Sequence, residues 1–364
     1  MVQPKQQMWS GVALLAASAL ALLWANTPLA GAYRGLFGPT VLHVLNDGLM
    51  TLFFLVAGME IKRALAPGGD LDTRGKAALP LLAAAGGMAV PAAIYASLNA
   101  GGPGAAGWGI PVATDIAFAL GILALLGPRV PRSLFVFLTA LAIFDDLGAI
   151  LVIAVFYGGV IRLVPLLVAV GLTALLFALP RFGVRRAWPY LVAGAGLWAA
   201  LHHSGIHSTM AGVILGLALP VGALRPPERL VGFAIVPLFA LANAGVALGG
   251  ETGPITLGVA LGLAAGKPIG VFGATWLSVK LGVAPRPAGS RWIQVLGVAL
   301  LAGFGFTMSL FVAALAFGAG EHMNAAKLGI LFGSLVSGLA GAALLGAVSS
   351  SPSGSASDPS RAPG

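Results

Sequence analysis

Asp145 and Asp146 stand side by side in the apolar run LFVFLTALAIFDDLGAILVIAVFY. Each is about twelve residues from either end, which at 1.5 Å per helical residue is roughly 18 Å from water. Asp115 is ten residues into a run that begins at 105, and Lys267 is twelve residues into one that begins at 255. Asp47 is shallower, six residues into its run and about 9 Å down. An ionised Asp or Lys at the centre of a membrane helix costs about 2.5–3.5 kcal/mol, so the four deep charges cost on the order of 10–14 kcal/mol together. Snorkelling spans a few ångströms of that path, so Lys267 needs a carboxylate or a water-filled cavity. Such oxygens have two uses at this depth. Protonated, they carry hydrogen ions; ionised, they form a site for a hard monovalent cation such as Na⁺ or Li⁺.

Adjacent helical residues point about 100° apart, so Asp145 and Asp146 cannot serve one partner equally. One pairs with Lys267 while the other faces a cavity with Asp115, where two carboxylates titrate as a coupled pair. The backbone is interrupted at the same depth. Pro111 removes a helical hydrogen bond and frees the carbonyl of Gly107, with Gly109 and Thr114 nearby, and GFGFTMS from Gly303 to Ser309 places Gly303 and Gly305 around Phe304. Irregular backbone in hydrocarbon is tolerated where it lines a cavity or is buried in protein, and paired breaks mark a transporter's binding site.

The elements that must hold these residues follow from composition. The 364 residues are 58% hydrophobic and 9% charged, against roughly 25% charged in an ordinary soluble domain. Apolar runs of about 20 residues recur where a barrel would show alternating strands of about ten. The fold class is an all-α polytopic membrane protein. Spans are predicted near 9–30, 41–62, 77–98, 105–126, 133–157, 164–180, 187–201, 206–219, 230–249, 255–281, 292–317 and 325–348. Twelve spans place both termini on one side, and of the 20 Lys and Arg all but Arg34, Arg162, Lys327 and Lys267 fall on that side, which makes it the cytoplasm. The first run also admits reading as a signal peptide, but removing it breaks this parity. Residues 1–348 form one membrane domain, and 349–364, rich in Ser, Pro and Gly, form a disordered tail. The broken fourth and eleventh spans run in opposite directions, as an inverted repeat of about 77–157 on 255–348 requires.

The net charge of +9 is explained by the membrane flanks and calls for no nucleic acid. Zero Cys excludes disulfides, iron–sulfur clusters and thiolate chemistry, and no P-loop or HExxH motif occurs, so neither ATP-driven transport nor zinc proteolysis is indicated and no cofactor is called for. Two rival readings use the same acids. An intramembrane aspartyl protease needs two carboxylates sharing a proton, which a nearby Lys267 opposes, and a cation channel is disfavoured by a deep Lys beside its path. His207, with His202 and His203, sits at an outer span end, and Glu60, Lys62 and Arg63 sit at an inner end where they either snorkel or guard a cytoplasmic funnel. Trp9, Trp24 and Trp188 read as interface anchors.

Taken together, NDGLMTLFFLVAGMEIKR from Asn46, GWGIPVATDIAFALGILALLG from Gly107, LTALAIFDDLGAI from Leu138, PLFALANAGV from Pro237, GKPIGV from Gly266 and GFGFTMS from Gly303 resemble the NhaA family of bacterial Na⁺/H⁺ antiporters. The resemblance covers about Val41 to Leu345. It implies two broken helices crossing at the midplane, in the cytoplasmic membrane. It implies electrogenic exchange of cytoplasmic Na⁺ or Li⁺ for more than one proton, switched on at alkaline pH. Asp146 would be the principal carrier, Asp145 the partner of Lys267, and Asp115 the balance for facing helix dipoles, with Na⁺ held at Asp146, Asp145 and Thr114. Asp47, Glu60, Arg63, His207 and Glu228 would be accessory or pH-sensing. Two departures stand out. Leu29 to Thr40 is too short for the outer β-hairpin that joins family homodimers. Ala64 stands where a second glutamate follows Glu60, and Arg225 to Val236 lacks the histidines sometimes found before PLFALANAGV.

Overall fold

The computed structural model describes residues 4–69, 71–127, 130–249 and 252–349; Asp70, Arg129, Glu251, Asp358 and the rest of the tail from residue 350 lie outside them. The described residues contain helix and no strand. In chain order come α1 (Pro4–Ala25), α2 (Pro39–Leu65), α3 (Arg74–Asn99), a 3₁₀ segment (Ala105–Val112), α4 (Ile116–Leu126), α5 (Arg132–Phe156), α6 (Leu163–Ala178), α7 (Ala187–Ser204) and α8 (Met210–Ala218). Then come α9 (Val236–Asn243), α10 (Pro254–Lys280), α11 (Trp292–Ala302), α12 (Phe306–Phe317) and α13 (Glu321–Ser349).

Among the described residues, seven stretches have the length and apolarity to cross hydrocarbon, namely those within α1, α2, α3, α5, α10 and α13 and the composite Ala105–Leu126. The pair α11 and α12, bent by 41°, makes an eighth. The chain is a multi-pass membrane protein. Most predicted spans coincide with helices, and three are shorter than expected. Helix α1 ends at Ala25, and a separate short helix, Ala30–Leu36, occupies the place considered for a hairpin. The 206–219 run is helical over Met210–Ala218. The 230–249 run leaves the helix after Asn243, although AGVALGG is as apolar as the residues before it. Other elements take its backbone hydrogen bonds instead: the Asn26 side chain donates to the Val246 carbonyl and accepts from Leu248 N–H, and Lys327 Nζ donates to the Gly245 carbonyl at 3.2 Å.

Two close crossings set the interior. Without an aqueous driving force, membrane helices approach through small residues. On α2 and α8, Gly58 meets the backbone of Val213 and Gly216, and a Cβ there would lie 2.6 Å from the Val213 carbonyl oxygen. On α3 and α10, a Cβ at Gly86 would lie 2.5 Å from the Gly270 carbonyl oxygen. This second crossing brings the aliphatic stem of Lys267 alongside Gly87. Just before Lys267 the helix widens into a π-turn over Gly262–Gly266, where Gly262 lies against Pro111 and Gly266 against Pro91. A π-turn inserts an extra residue into the ladder and so re-aims the side chains beyond it, of which Lys267 is the first.

Candidate functional site

The two chain interruptions touch. At Ala113 the backbone is extended (φ −89°, ψ 150°), so Thr114 and Asp115 lie between the 3₁₀ segment and α4. Across from them, Gly303 to Gly305 separate α11 from α12. Asp115 N–H donates to the Phe304 carbonyl at 2.7 Å, Thr114 Oγ1 to the Ala302 carbonyl at 2.7 Å, and Ser309 Oγ to the Ile110 carbonyl at 2.7 Å. The carbonyls freed by each break thus find donors in the other, which is the satisfaction that irregular backbone in hydrocarbon demands. The rings of Phe118 and Phe304 stack at 3.4 Å and 12° beside the crossing.

Asp115 is buried and caps two helices at once. Its Oδ1 accepts from Phe118 N–H at 3.1 Å, in the first turn of α4, and its Oδ2 accepts from Thr307 N–H at 3.2 Å and Thr307 Oγ1 at 2.5 Å, in the first turn of α12. A carboxylate is favoured where helix N-termini direct unpaired N–H groups, and two such ends converge on this one. The first turns of α4 and α12 thus both direct hydrogen-bond donors at the Asp115 carboxyl.

Lys267 is fully buried, and its ammonium donates to Asp145 Oδ2 at 2.5 Å and to the Val112 carbonyl. The second contact places a cation at the C-terminal end of the 3₁₀ segment, the negative pole of that half-helix. Asp145 is committed to this pair. Asp146, one residue on and turned away, instead lines a cavity of about 130 Å³ with Thr114, Asp115 and Thr307. Asp146 Oδ1 and Asp145 Oδ1 are both buried without a hydrogen-bond partner. A buried carboxylate oxygen left in that state costs free energy until a proton or cation meets it. The cavity also reaches Glu60, in the last turns of α2, and Glu228, in the short helix Glu228–Leu230 that precedes α9.

The family model described as Na⁺/H⁺ antiporter 1 matches residues 3–345. The chain belongs to that family. Among its relatives, the Na(+)/H(+) antiporter NhaA of Rhodospirillum rubrum is 51% identical over 91% of this chain and 93% of its own length. The NhaA of Paramagnetospirillum magneticum is 51% identical over 92% and 93%, and that of Caulobacter vibrioides 50% over 92% and 87%.

The residues proposed as accessory in this Na⁺/H⁺ antiporter 1 member fall into two groups. Glu60 and Glu228 line the cavity, and Arg63 meets Glu228 at 3.4 Å on its rim. Asp47 and His207 stand apart from it. Asp47 pairs with His43 at 3.1 Å, while His207 Nε2 lies 2.6 Å from the Tyr157 carbonyl. Tyr157 in turn receives Gly109 N–H at its hydroxyl and donates that hydroxyl to the Ala106 carbonyl, so it braces the 3₁₀ segment from outside. Lys62 donates to the Ala218 and Leu219 carbonyls, capping α8. Sequence reasoning missed Thr307. Its signal was available, since a hydroxyl comes after the second break as Thr114 comes after the first.

Proposed function

We propose that this chain is a secondary active antiporter that exchanges cytoplasmic Na⁺ or Li⁺ for external protons, and that both compete for Asp146 and Asp115. It is a transporter and not an enzyme. The observation that carries the proposal is the separation of the paired aspartates. Asp145 is matched to Lys267, whereas Asp146 lines a cavity shared with Asp115 and Thr307 and keeps a buried oxygen without a hydrogen-bond partner. A cation entering there finds carboxylate and hydroxyl oxygens, the ligands a hard ion requires. A proton arriving on the same oxygens removes the charge that holds it. Na⁺ would sit against Asp146, with Thr114 and Asp145 completing its surroundings.

The names of the relatives support the choice of Na⁺ and H⁺. The charge partition supports twelve crossings with both ends in the cytoplasm of a bacterial inner membrane, residues 1–348 forming the transporter domain. The touching breaks support an inverted repeat of 77–157 on 255–348, with alternating access moving the site between faces. On this orientation the cavity at Glu60 and Glu228 opens inward. Exchange of more than one proton per cation makes the cycle electrogenic, and release of protons from the acids at alkaline pH activates it. A short helix at 30–36 offers no strand for a hairpin-mediated homodimer.

Everted membrane vesicles carrying the full chain test this. Adding NaCl or LiCl to vesicles holding an acid interior should release protons with wild type, and Asp146→Asn should abolish that release. Intact exchange in the variant would overturn the assignment. Flux that needs no proton gradient would favour a channel.

A further inference from the structure

We propose that His43, Asp47 and His202 form a binding site for a divalent transition-metal ion of the zinc class, separate from the cation path. Their ligand atoms all lie within 4.8 Å of one another. His43 Nδ1 stands 3.1 Å from Asp47 Oδ2, and the His43 and His202 rings are 5.5 Å apart, centre to centre. Zinc holds imidazole nitrogens at about 2.0–2.1 Å and carboxylate oxygens at about 2.0–2.2 Å, so its ligand atoms lie roughly 3–4 Å apart. A small rotation of the two exposed rings closes the remaining gap.

The backbone arranges these groups in a specific way. His43 ends the helical turn Pro39–His43, and Asp47 comes four residues later within a π-turn, Val44–Leu49. His202 comes from α7, so the ion would bridge two helices. The tie between those helices is already built beside the ligands. Trp198 stacks on His202 at 5.4 Å and 9°, and its indole N–H donates to the Asp47 carbonyl at 3.2 Å and Thr51 Oγ1 at 3.1 Å. Thr51 Oγ1 donates to that same carbonyl at 2.5 Å. Losing a group that orients a ligand from behind typically costs about 10–100-fold in metal affinity.

The donor set decides which ion. Two imidazoles and one carboxylate favour Zn²⁺, Cu²⁺, Ni²⁺ or Co²⁺ over Na⁺, Mg²⁺ or Ca²⁺, which take oxygen ligands. Three protein ligands leave a position open for water. The His43 side chain is 56% exposed near the start of α2, and none of the three residues lines the cavity of Asp115 and Asp146. A simple helical His–Asp pair explains the 3.1 Å contact, and His202, held by its stack on Trp198, adds a third ligand atom within 4.8 Å of both.

Calorimetric titration of the purified full chain in detergent with ZnCl₂ tests this, with CoCl₂ as a spectroscopic probe. Wild type should take up one Zn²⁺ per chain at this site, unaffected by excess MgCl₂, and show Co²⁺ ligand-field absorption. His43→Ala and His202→Ala should each weaken Zn²⁺ binding at least tenfold. The double variant should lose both the site and the Co²⁺ signal, while His322→Ala keeps them. Thermal melting of each variant confirms that it is folded. Absence of binding in wild type, or unchanged binding in the folded double variant, overturns the proposal. Binding that survives His202→Ala and is lost with His203→Ala overturns the assignment of His202.

Discussion

Thr307 gives Asp115 two hydrogen bonds on a single oxygen, from its amide at 3.2 Å and from its hydroxyl at 2.5 Å. The side chain of one broken helix is thereby the cap of another, 192 residues away in sequence. A hydrogen bond to a charged group contributes about 1.5–3 kcal/mol. Thr307→Val should lose stability of that order and weaken apparent Na⁺ affinity in vesicle exchange, while Thr307→Ser, which keeps the hydroxyl, restores most of both. Equal behaviour of Val and Ser would show that the hydroxyl is idle.

Lys267 and Asp145 have no solvent to fall back on. Removing one partner of a buried pair costs about 3–5 kcal/mol because the other charge is left uncompensated. Lys267→Ala should therefore lower thermal stability steeply, and adding Asp145→Asn should recover part of the loss. A double-mutant cycle on melting temperature measures this, and additive losses would mean that the two charges are not coupled.

Na⁺ that binds the folded chain stabilises it, by about 2.7 kcal/mol at a concentration one hundred times Kd. With protons competing for the same oxygens, as proposed above, this stabilisation should be large at alkaline pH and shrink as pH falls. Asp146→Asn should remove it at every pH. Melting curves with NaCl against choline chloride across pH 6 to 9 supply the readout, and a pH-independent Na⁺ effect that survives in the variant would place the ion elsewhere.

Gly86 and Gly273 make a controlled pair. Alanine at Gly86 puts a Cβ against the Gly270 carbonyl and should cost about 1–3 kcal/mol through overpacking, whereas at Gly273 the space is open. Gly273→Ala should fold and exchange as wild type does. Similar melting temperatures for the two alanine variants would refute the close crossing of α3 and α10.

Much of the crossing was legible in the sequence because expensive groups leave few choices. The 100° turn between Asp145 and Asp146 called for different partners, and the depth of Lys267 called for a carboxylate or a water-filled cavity, of which the fold supplies the carboxylate of Asp145. What stayed hidden depends on contacts between distant segments. Thr307 is an ordinary hydroxyl until the second break meets the first. The π-turns at 44–49 and 262–266 have no periodic signature, since one widened turn is imposed by the groups packed on it. Residues 244–249 are apolar enough to be helical, and Asn26 and Lys327 draw their backbone away from it.

The mutual hydrogen bonding of the two interruptions has a mechanical result. With Thr114 fastened to Ala302, Asp115 to Phe304 and Thr307, and Ser309 to Ile110, neither interrupted rod can be shifted without towing its counterpart. On the proposed alternating-access cycle, spin labels on the two rods would keep a constant separation while both move against α2 and α9, and the cargo would travel in a cradle whose shape is preserved.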